Sequence, residues 1–275
     1  MTNENGIGRK IADVLEAIKK KGSMAVAFSG GIDSSVVAAL AVKALGNKAL
    51  AVTVTSALQP SSERSMAKQV AKQLGVEHLE VRLNELRINS FKNNPVNRCY
   101  LCKKFRFERL LKIAEERGLA VVADGTNYSD LGEYRPGLKA LKELGIYSPL
   151  IEAGLSKIDS WKIAKLINLP NVEKPSNSCL ATRVPYGEAL SASRLERIDK
   201  AEKRVRFITG ARLVRVRDHG NIARVELLPE ERFRLFVDKS MDRLSAELQE
   251  LGYKFVTLDM EGYKPGKFDR KLELG

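Results

Sequence analysis

The chain has 275 residues, 47 of them Lys or Arg and 34 Asp or Glu, for a formal net charge of +13. Hydrophobic residues make up 44% and charged residues 29%, a globular balance that excludes a wholly disordered chain. No apolar run approaches the ~20 residues of a membrane helix. The opening MTNENGIGRK lacks the apolar core of a signal peptide, and three cysteines do not make a disulfide framework, so a cytoplasmic protein of about two domains is expected. The charge is concentrated: residues 87–117 and 191–217 each hold nine basic and three acidic residues. Each block reads either as a solvated helix face or as an anion-binding surface.

Apolar spacing predicts a helix over 9–20, and MAVAF (24–28) reads as a buried strand. A long apolar helix opens at Asp33 and ends near Gly46. ALAVTVT (49–55) is a second strand, 61–75 a helix, HLEVRL (78–83) a third strand, and 102–117 a basic amphipathic helix. LAVVAD (119–124) is a fourth strand, followed by helices over 137–144 and 156–168. Strands alternating with helices imply an α/β fold with an open, mostly parallel sheet, in a first domain of residues 1–170. A stretch over 169–187 interrupts the periodicity. A second domain, 171–275, reads as a small α+β unit: a helix over 191–208, strands over 212–217 and 222–228 joined by Asp218-His219-Gly220-Asn221, a helix over 230–250 and a strand over 253–259.

Ser29-Gly30-Gly31-Ile32-Asp33-Ser34 lies between a predicted strand and a predicted helix. The glycines allow close backbone approach, the helix N-terminus offers N–H groups to an anion, and Ser29, Ser34 and Ser35 add hydroxyls. No Gly-Lys-Ser/Thr follows, so this is not a Walker loop. The pattern SGGxDS resembles the PP-loop of ATP pyrophosphatases, which have an adenine nucleotide alpha hydrolase-like sheet. That resemblance implies cleavage of ATP between its α and β phosphates, with pyrophosphate held on the loop. Ligands bind an open parallel sheet at the carboxyl ends of its strands, so residues 29–35 and Asp124, Gly125, Thr126 and Asn127 are expected to line one crevice. Asp33 and Asp124 are the carboxylates available to Mg²⁺, and Lys103 with neighbouring arginines can offset charge on the α-phosphate.

Cys99 and Cys102 form a Cys-x-x-Cys step, and Cys179 is the third cysteine. A buried structural trio, a redox dithiol activated by adjacent cations and a metal site all remain open. Structural zinc wants four ligands, and only His78 and His219 could add one. Three thiolates suit an iron–sulfur cluster with one iron left open.

The segments SGGIDSS (29–35), NRCYLCK (97–103), DGTN (124–127), EYRPG (133–137), SPL (148–150), KPSNSCLATRVPYG (174–187), RVRDHG (215–220) and IARVE (222–226) together resemble the LarE family. Its members are PP-loop sulfur transferases that mature the nickel-pincer nucleotide of lactate racemase. The resemblance implies that a carboxylate of a pyridinium bis-carboxylic acid mononucleotide attacks the α-phosphate of ATP. Pyrophosphate leaves, and a sulfur nucleophile displaces AMP from the acyl-adenylate to give a thiocarboxylate. Some members sacrifice the cysteine at the Cys179 position; others carry the extra Cys-x-x-Cys and hold a 4Fe-4S cluster. With all three cysteines present, the cluster route on Cys99, Cys102 and Cys179 is expected, with sacrificial Cys179 as the fallback. The expected catalytic residues are Cys179, which the resemblance implies, with Asp33 and Lys103; the expected substrate-binding residues are Arg98 and, as the resemblance implies, Arg183, Glu202, Arg215 and Arg217. Arg215 and Arg217 alternate along a predicted strand, so both point to one face, and guanidinium forks suit phosphate and carboxylate. Arg183 and Glu202 also read as a surface ion pair. This chain departs from the family at Tyr128-Ser129-Asp130, where two acids are common, and only Asp130 is retained. Ile32 replaces the usual Val.

The expected partners are ATP, the mononucleotide, a sulfide donor and further copies of the chain (dimer to hexamer), with no membrane and no nucleic acid. Competing readings are tRNA thiolation, which would use the basic charge on phosphates, an ammonia-using ligase of the NAD-synthetase type, and a non-enzymatic nucleotide-binding protein.

Overall fold

The computed structural model describes residues 4–132, 135–173 and 178–264. Glu133 and Tyr134 of the 133–137 motif, and residues 174–177 of the 174–187 motif, lie outside the described residues. The elements in chain order are α1 (Glu4–Lys21), β1 (Met24–Ala27), α2 (Ile32–Leu45), β2 (Ala49–Thr55), α3 (Ser61–Leu74), β3 (Glu77–Arg82), α4 (Asn89–Lys92), α5 (Arg98–Glu116), β4 (Val121–Ala123), α6 (Pro136–Glu143), α7 (Pro149–Glu152), α8 (Lys157–Leu166), α9 (Ala192–Thr209), β5 (Val214–His219), β6 (Ile222–Leu227), α10 (Ser240–Glu250) and β7 (Phe255–Leu258). Two compact units result: Met1–Ser56 with Ser61–Glu85 and Asn97–Lys174, and Pro175–Gly275 with Ala57–Pro60 and Leu86–Val96. Two short segments expected in the first domain therefore group with the C-terminal unit. Among the described residues no helix is long and apolar enough to cross a membrane.

The first unit is built on a parallel sheet of order β3-β2-β1-β4. Side chains alternate between its faces. Met24, Val26, Ala49 and Ala51 share a core with Val14 of α1, Val36 of α2, Val70 of α3 and Ile163 of α8. Ala25, Leu50, Val52 and Val122 share another with Phe107 and Leu110 of α5 and Leu141 of α6. Burial on both faces explains why these strands read as continuous apolar runs. Helix α5 begins four residues earlier than its apolar pattern predicts, which brings Cys99 and Cys102 onto its first two turns.

The second unit has the sheet order β5-β6-β7, with β5 antiparallel and β7 parallel to β6. Val214, Val216, Ala223, Val225 and Leu227 face Ala201 and Val205 of α9 and Leu244 and Leu248 of α10. Alternation sends Arg215, Arg217, Arg224 and Glu226 to the other face, with Arg215 opposite Glu226 and Arg217 opposite Arg224. The expected single helix over 230–250 is wrong. Pro229–Phe236 is 3₁₀, Asp238 and Lys239 take φ of +49° and +56°, and α10 restarts at Ser240. Two left-handed residues cannot continue a right-handed helix, whatever the apolar spacing around them.

The β5–β6 turn is tied down by buried Asp218. Its carboxylate accepts from Arg194 Nε at 2.8 Å, Arg197 Nη2 at 2.6 Å, Tyr253 Oη at 2.9 Å and Gly220 N at 3.1 Å. Replacing Asp218 with Ala removes the buried carboxylate shared by two guanidiniums and a phenol. A loss of about 3 kcal/mol in chemical denaturation is expected; a loss under about 0.5 kcal/mol would contradict this role.

Candidate functional site

In the first unit, β1 hands the chain to the 29–31 turn, and α2 starts at Ile32 with Gly31 as an N-cap that supplies no side chain. The first-turn N–H groups of α2 thus keep their anion-binding capacity. Gly30 has φ +76°, and a Cβ there would lie 2.9 Å from the Ala67 backbone, so no other residue fits without movement. The hydroxyls of Ser34 and Ser35 donate to Gly31 O at 3.0 and 2.8 Å, and Ser29 Oγ accepts from Gly31 N at 3.2 Å. These serines, expected as ligand donors, also shape the loop. Asn171, which the sequence reading missed, completes the brace: its Nδ2 donates to Gly30 O at 2.8 Å and Ser35 Oγ at 3.0 Å.

The 124–127 loop meets the PP-loop directly. A Cβ on Gly125 would sit 2.7 Å from Ser34 N. Both oxygens of buried Asp124 are engaged: Thr126 Oγ1 donates to Oδ2, Ser148 Oγ donates to Oδ1 at 2.6 Å, and Lys103 Nζ stands 3.7 Å from Oδ2. Asp124 is therefore an anchor for Lys103 and a poor candidate for the metal role that the sequence offered it. Asp33 differs. Its Oδ1 is buried without a hydrogen-bond partner, as are Asn127 Oδ1 and Ser160 Oγ. Burial pushes the Asp33 carboxyl above the usual carboxylate range, and the charge of Asp130 adds to the rise against the dipoles of Ser160 and Asn127. Oxygen donors with unfilled capacity around one carboxylate fit a hard cation such as Mg²⁺.

Cys99 is exposed and Cys102 partly buried, three residues apart on one face of α5, with Arg98 buried beside them in sequence. Cys179 belongs to the second unit. Within each unit, among the described residues, no three His, Cys, Asp or Glu side chains are grouped to hold a metal ion. As a donor set, three thiols fit an iron–sulfur cluster better than zinc. The histidines are committed elsewhere. Thr53 Oγ1 donates to Phe28 O at 2.7 Å, so its 2.8 Å contact with His78 Nε2 makes the ring nitrogen the donor, and burial keeps the ring neutral by lowering its pKa. His219 Nε2 accepts from Arg224 Nε at 3.3 Å.

In the second unit, Cys179 leads into a 3₁₀ turn, Leu180–Arg183. Arg183 and Glu202 do not form the surface pair that was an alternative: both are buried, with Arg183 Nε 2.7 Å from Glu202 Oε1. Arg183 Nη1 also donates to Ser178 O at 3.0 Å and Cys179 O at 3.2 Å. Glu202 Oε1 caps the edge of the sheet by accepting from Val216 N at 3.1 Å. Arg217 binds Glu226 Oε2 at 2.8 Å and Thr182 O at 2.7 Å. Buried Arg215 donates to Val214 O at 2.9 Å and lies 5.2 Å from the Tyr263 ring centroid. Burial and the neighbouring Arg183 charge push its pKa down to about 10. Arg183, Arg215 and Arg217 are thus all buried, with Arg183 on Glu202 and Arg217 on Glu226, and guanidiniums so placed have the donor geometry that suits an anion. Asn94, also unforeseen, straps the cysteine turn through Nδ2 contacts to Val184 O at 2.9 Å and Pro185 O at 2.8 Å.

Much of the remaining basic charge is locally paired. Arg106 binds Glu85 at 2.5 Å, Arg117 binds Glu77 at 2.8 Å, and Arg204 binds Glu250 at 3.0 Å.

An asparagine synthase family model matches residues 13–89. The pyridinium-3,5-bisthiocarboxylic acid mononucleotide synthase of Lactiplantibacillus plantarum is 38% identical over 97% of this chain and 96% of its own length. An uncharacterised Synechocystis protein is 40% identical over 90% of this chain and 92% of its own. A tRNA-specific 2-thiouridylase of Trichlorobacter lovleyi is 35% identical over only 37% of this chain and 32% of its own.

Because Asp33 titrates above its unfolded value, its charge costs stability at neutral pH and nothing once both states are protonated. Asp33→Asn is expected to raise the denaturation midpoint at pH 7, the gain vanishing below about pH 4. A variant less stable than wild type at pH 7 would show that the carboxylate is compensated.

Proposed function

The chain belongs to the LarE family of PP-loop sulfur transferases, and on that premise we propose that it adenylates the carboxylates of a pyridinium bis-carboxylic acid mononucleotide and converts them to thiocarboxylates. The observation that carries this reading is Arg183, whose guanidinium joins the backbone of Cys179 to a buried arginine cluster. The residue that would serve sulfur chemistry and one of the charges that would hold an anionic substrate belong to one turn.

Each residue then has a task. The 29–35 loop and the first turn of α2 receive the β and γ phosphates that depart as pyrophosphate. Asp33, with Asn127 and Ser160, would hold Mg²⁺, which supplies charge neutralisation to the phosphates. Asp124, Gly125, Thr126 and Asn127 line the nucleotide side, and Lys103 balances charge growing on the α-phosphate. A substrate carboxylate oxygen attacks that phosphorus, the bond to the bridging oxygen breaks, and an acyl-adenylate remains. Arg215, Arg217, Arg98 and the Arg183–Glu202 pair hold the substrate's phosphate and carboxylates. Cys99, Cys102 and Cys179 would ligate a 4Fe-4S cluster, which would supply sulfide-donating chemistry. Attack of sulfur at the acyl carbon expels AMP.

The tRNA reading is disfavoured by the pairing of basic residues with acids along α5 and α9, which leaves less charge for phosphate backbones.

Anaerobically purified protein should contain about four irons and four sulfides per chain and should convert the mononucleotide with AMP and pyrophosphate formed in equal amounts. Iron-free protein that transfers one sulfur per chain, with Cys179 lighter by one H₂S (about 34 Da), would replace the cluster with the sacrificial route. No conversion by either form would overturn the function itself.

A further inference from the structure

Residues 135–137 have no task in the reaction so far, yet they sit beside a residue that does. Arg135 is the N-cap of α6, Pro136 opens it, and buried Gly137 follows in the first turn. Pro at this position is expected, since a first-turn N–H has no helical partner. Gly137 is not. Its φ is not positive, so the backbone does not require glycine, and alanine would favour the helix.

What glycine provides is room. A Cβ at residue 137 would lie 2.7 Å from Lys103 Cδ and 3.3 Å from both Cγ and Cε. The lysine stem, projecting from α5, runs through the volume that any other side chain would occupy. On this path Lys103 Nζ reaches Asp124, itself fixed by Thr126 and Ser148. The same turn steadies the ligand loop: Arg135 pairs with Asp130 at 2.9 Å, and Asp130 accepts from Asn127 N at 3.1 Å. We propose that Gly137 is a positioning residue, whose missing side chain forms the channel that aims the Lys103 ammonium at Asp124 and the end of β4. The inference rests on the role given above to Lys103.

The displaced atoms would belong to a flexible side chain, so Gly137→Ala should move the lysine and spare the fold. Its thermal midpoint should equal or exceed wild type, whereas kcat for pyrophosphate release should fall by about 10- to 100-fold with little change in KM for ATP, as expected for a misplaced catalytic group. A purely structural role would lower the midpoint instead. In a Lys103→Ala background the Gly137→Ala change should cost nothing further, because its effect passes through that lysine. Wild-type kcat in Gly137→Ala, or losses that multiply in the double variant, would overturn the proposal. A second readout needs no turnover: acylation of Lys103 by an amine-reactive ester, followed by peptide mass spectrometry. Loss of the Asp124 contact should speed it in Gly137→Ala, and an unchanged rate would count against the channel. If wild type released no pyrophosphate with the mononucleotide, the functional reading would fail, while the acylation rate would still decide whether Gly137 positions Lys103.

Discussion

The approach of the Gly125 backbone to Ser34 is the constraint on which the nucleotide half of the molecule depends. A gap of 2.7 Å to a hypothetical Cβ means that the β4 loop lies on the PP-loop with no side chain between them. One contact therefore makes a single surface from the N–H groups of α2, the unsatisfied oxygen of Asp33 and the anchored carboxylate of Asp124. Parallel strands put these loops at the same edge of the sheet, and glycine lets them close. Lys103 arrives from the opposite layer along a second glycine. The chemistry assigned to this surface is mostly electrostatic, and such chemistry depends on groups already in place before charge develops.

The second unit solves a different problem. Buried ion pairs seldom add net stability, because the desolvation of both partners offsets their attraction. Arg183, Glu202, Arg215, Arg217 and Glu226 are nonetheless all buried. In the proposed function, the anion that such an arrangement receives is the substrate. The network also reaches the carbonyls of Ser178 and Cys179, so anion binding and the geometry of the cysteine turn are linked. The two basic blocks of the sequence are thus divided between surface cations with acidic neighbours and a few buried ones tied into a network with Glu202 and Glu226.

The parts of the site legible in the sequence were those whose chemistry is local. The strand, SGGIDS and the following apolar helix stand side by side, so the anion loop could be read directly, and so could the alternation of Arg215 and Arg217. Asn171 and Asn94 were illegible: each is one ordinary polar residue whose partner lies far along the chain, such as Gly30 for Asn171. Asp124 was visible as a carboxylate, but only its contacts distinguish a lysine anchor from a metal ligand. The burial of Arg183 with Glu202 depends on the packing of a whole helix, which a count of charges does not contain. The helix expected over 230–250 failed for a local reason that periodicity ignores, two residues in the left-handed region.

The central claim is that a substrate carboxylate, activated on this PP-loop, becomes an acyl-adenylate before sulfur arrives. Its most direct test is to label the mononucleotide carboxylates with ¹⁸O and analyse the AMP after turnover. Attack by carboxylate on the α-phosphate predicts one ¹⁸O in the phosphate of each AMP formed. Unlabelled AMP alongside thiocarboxylate product would contradict the account.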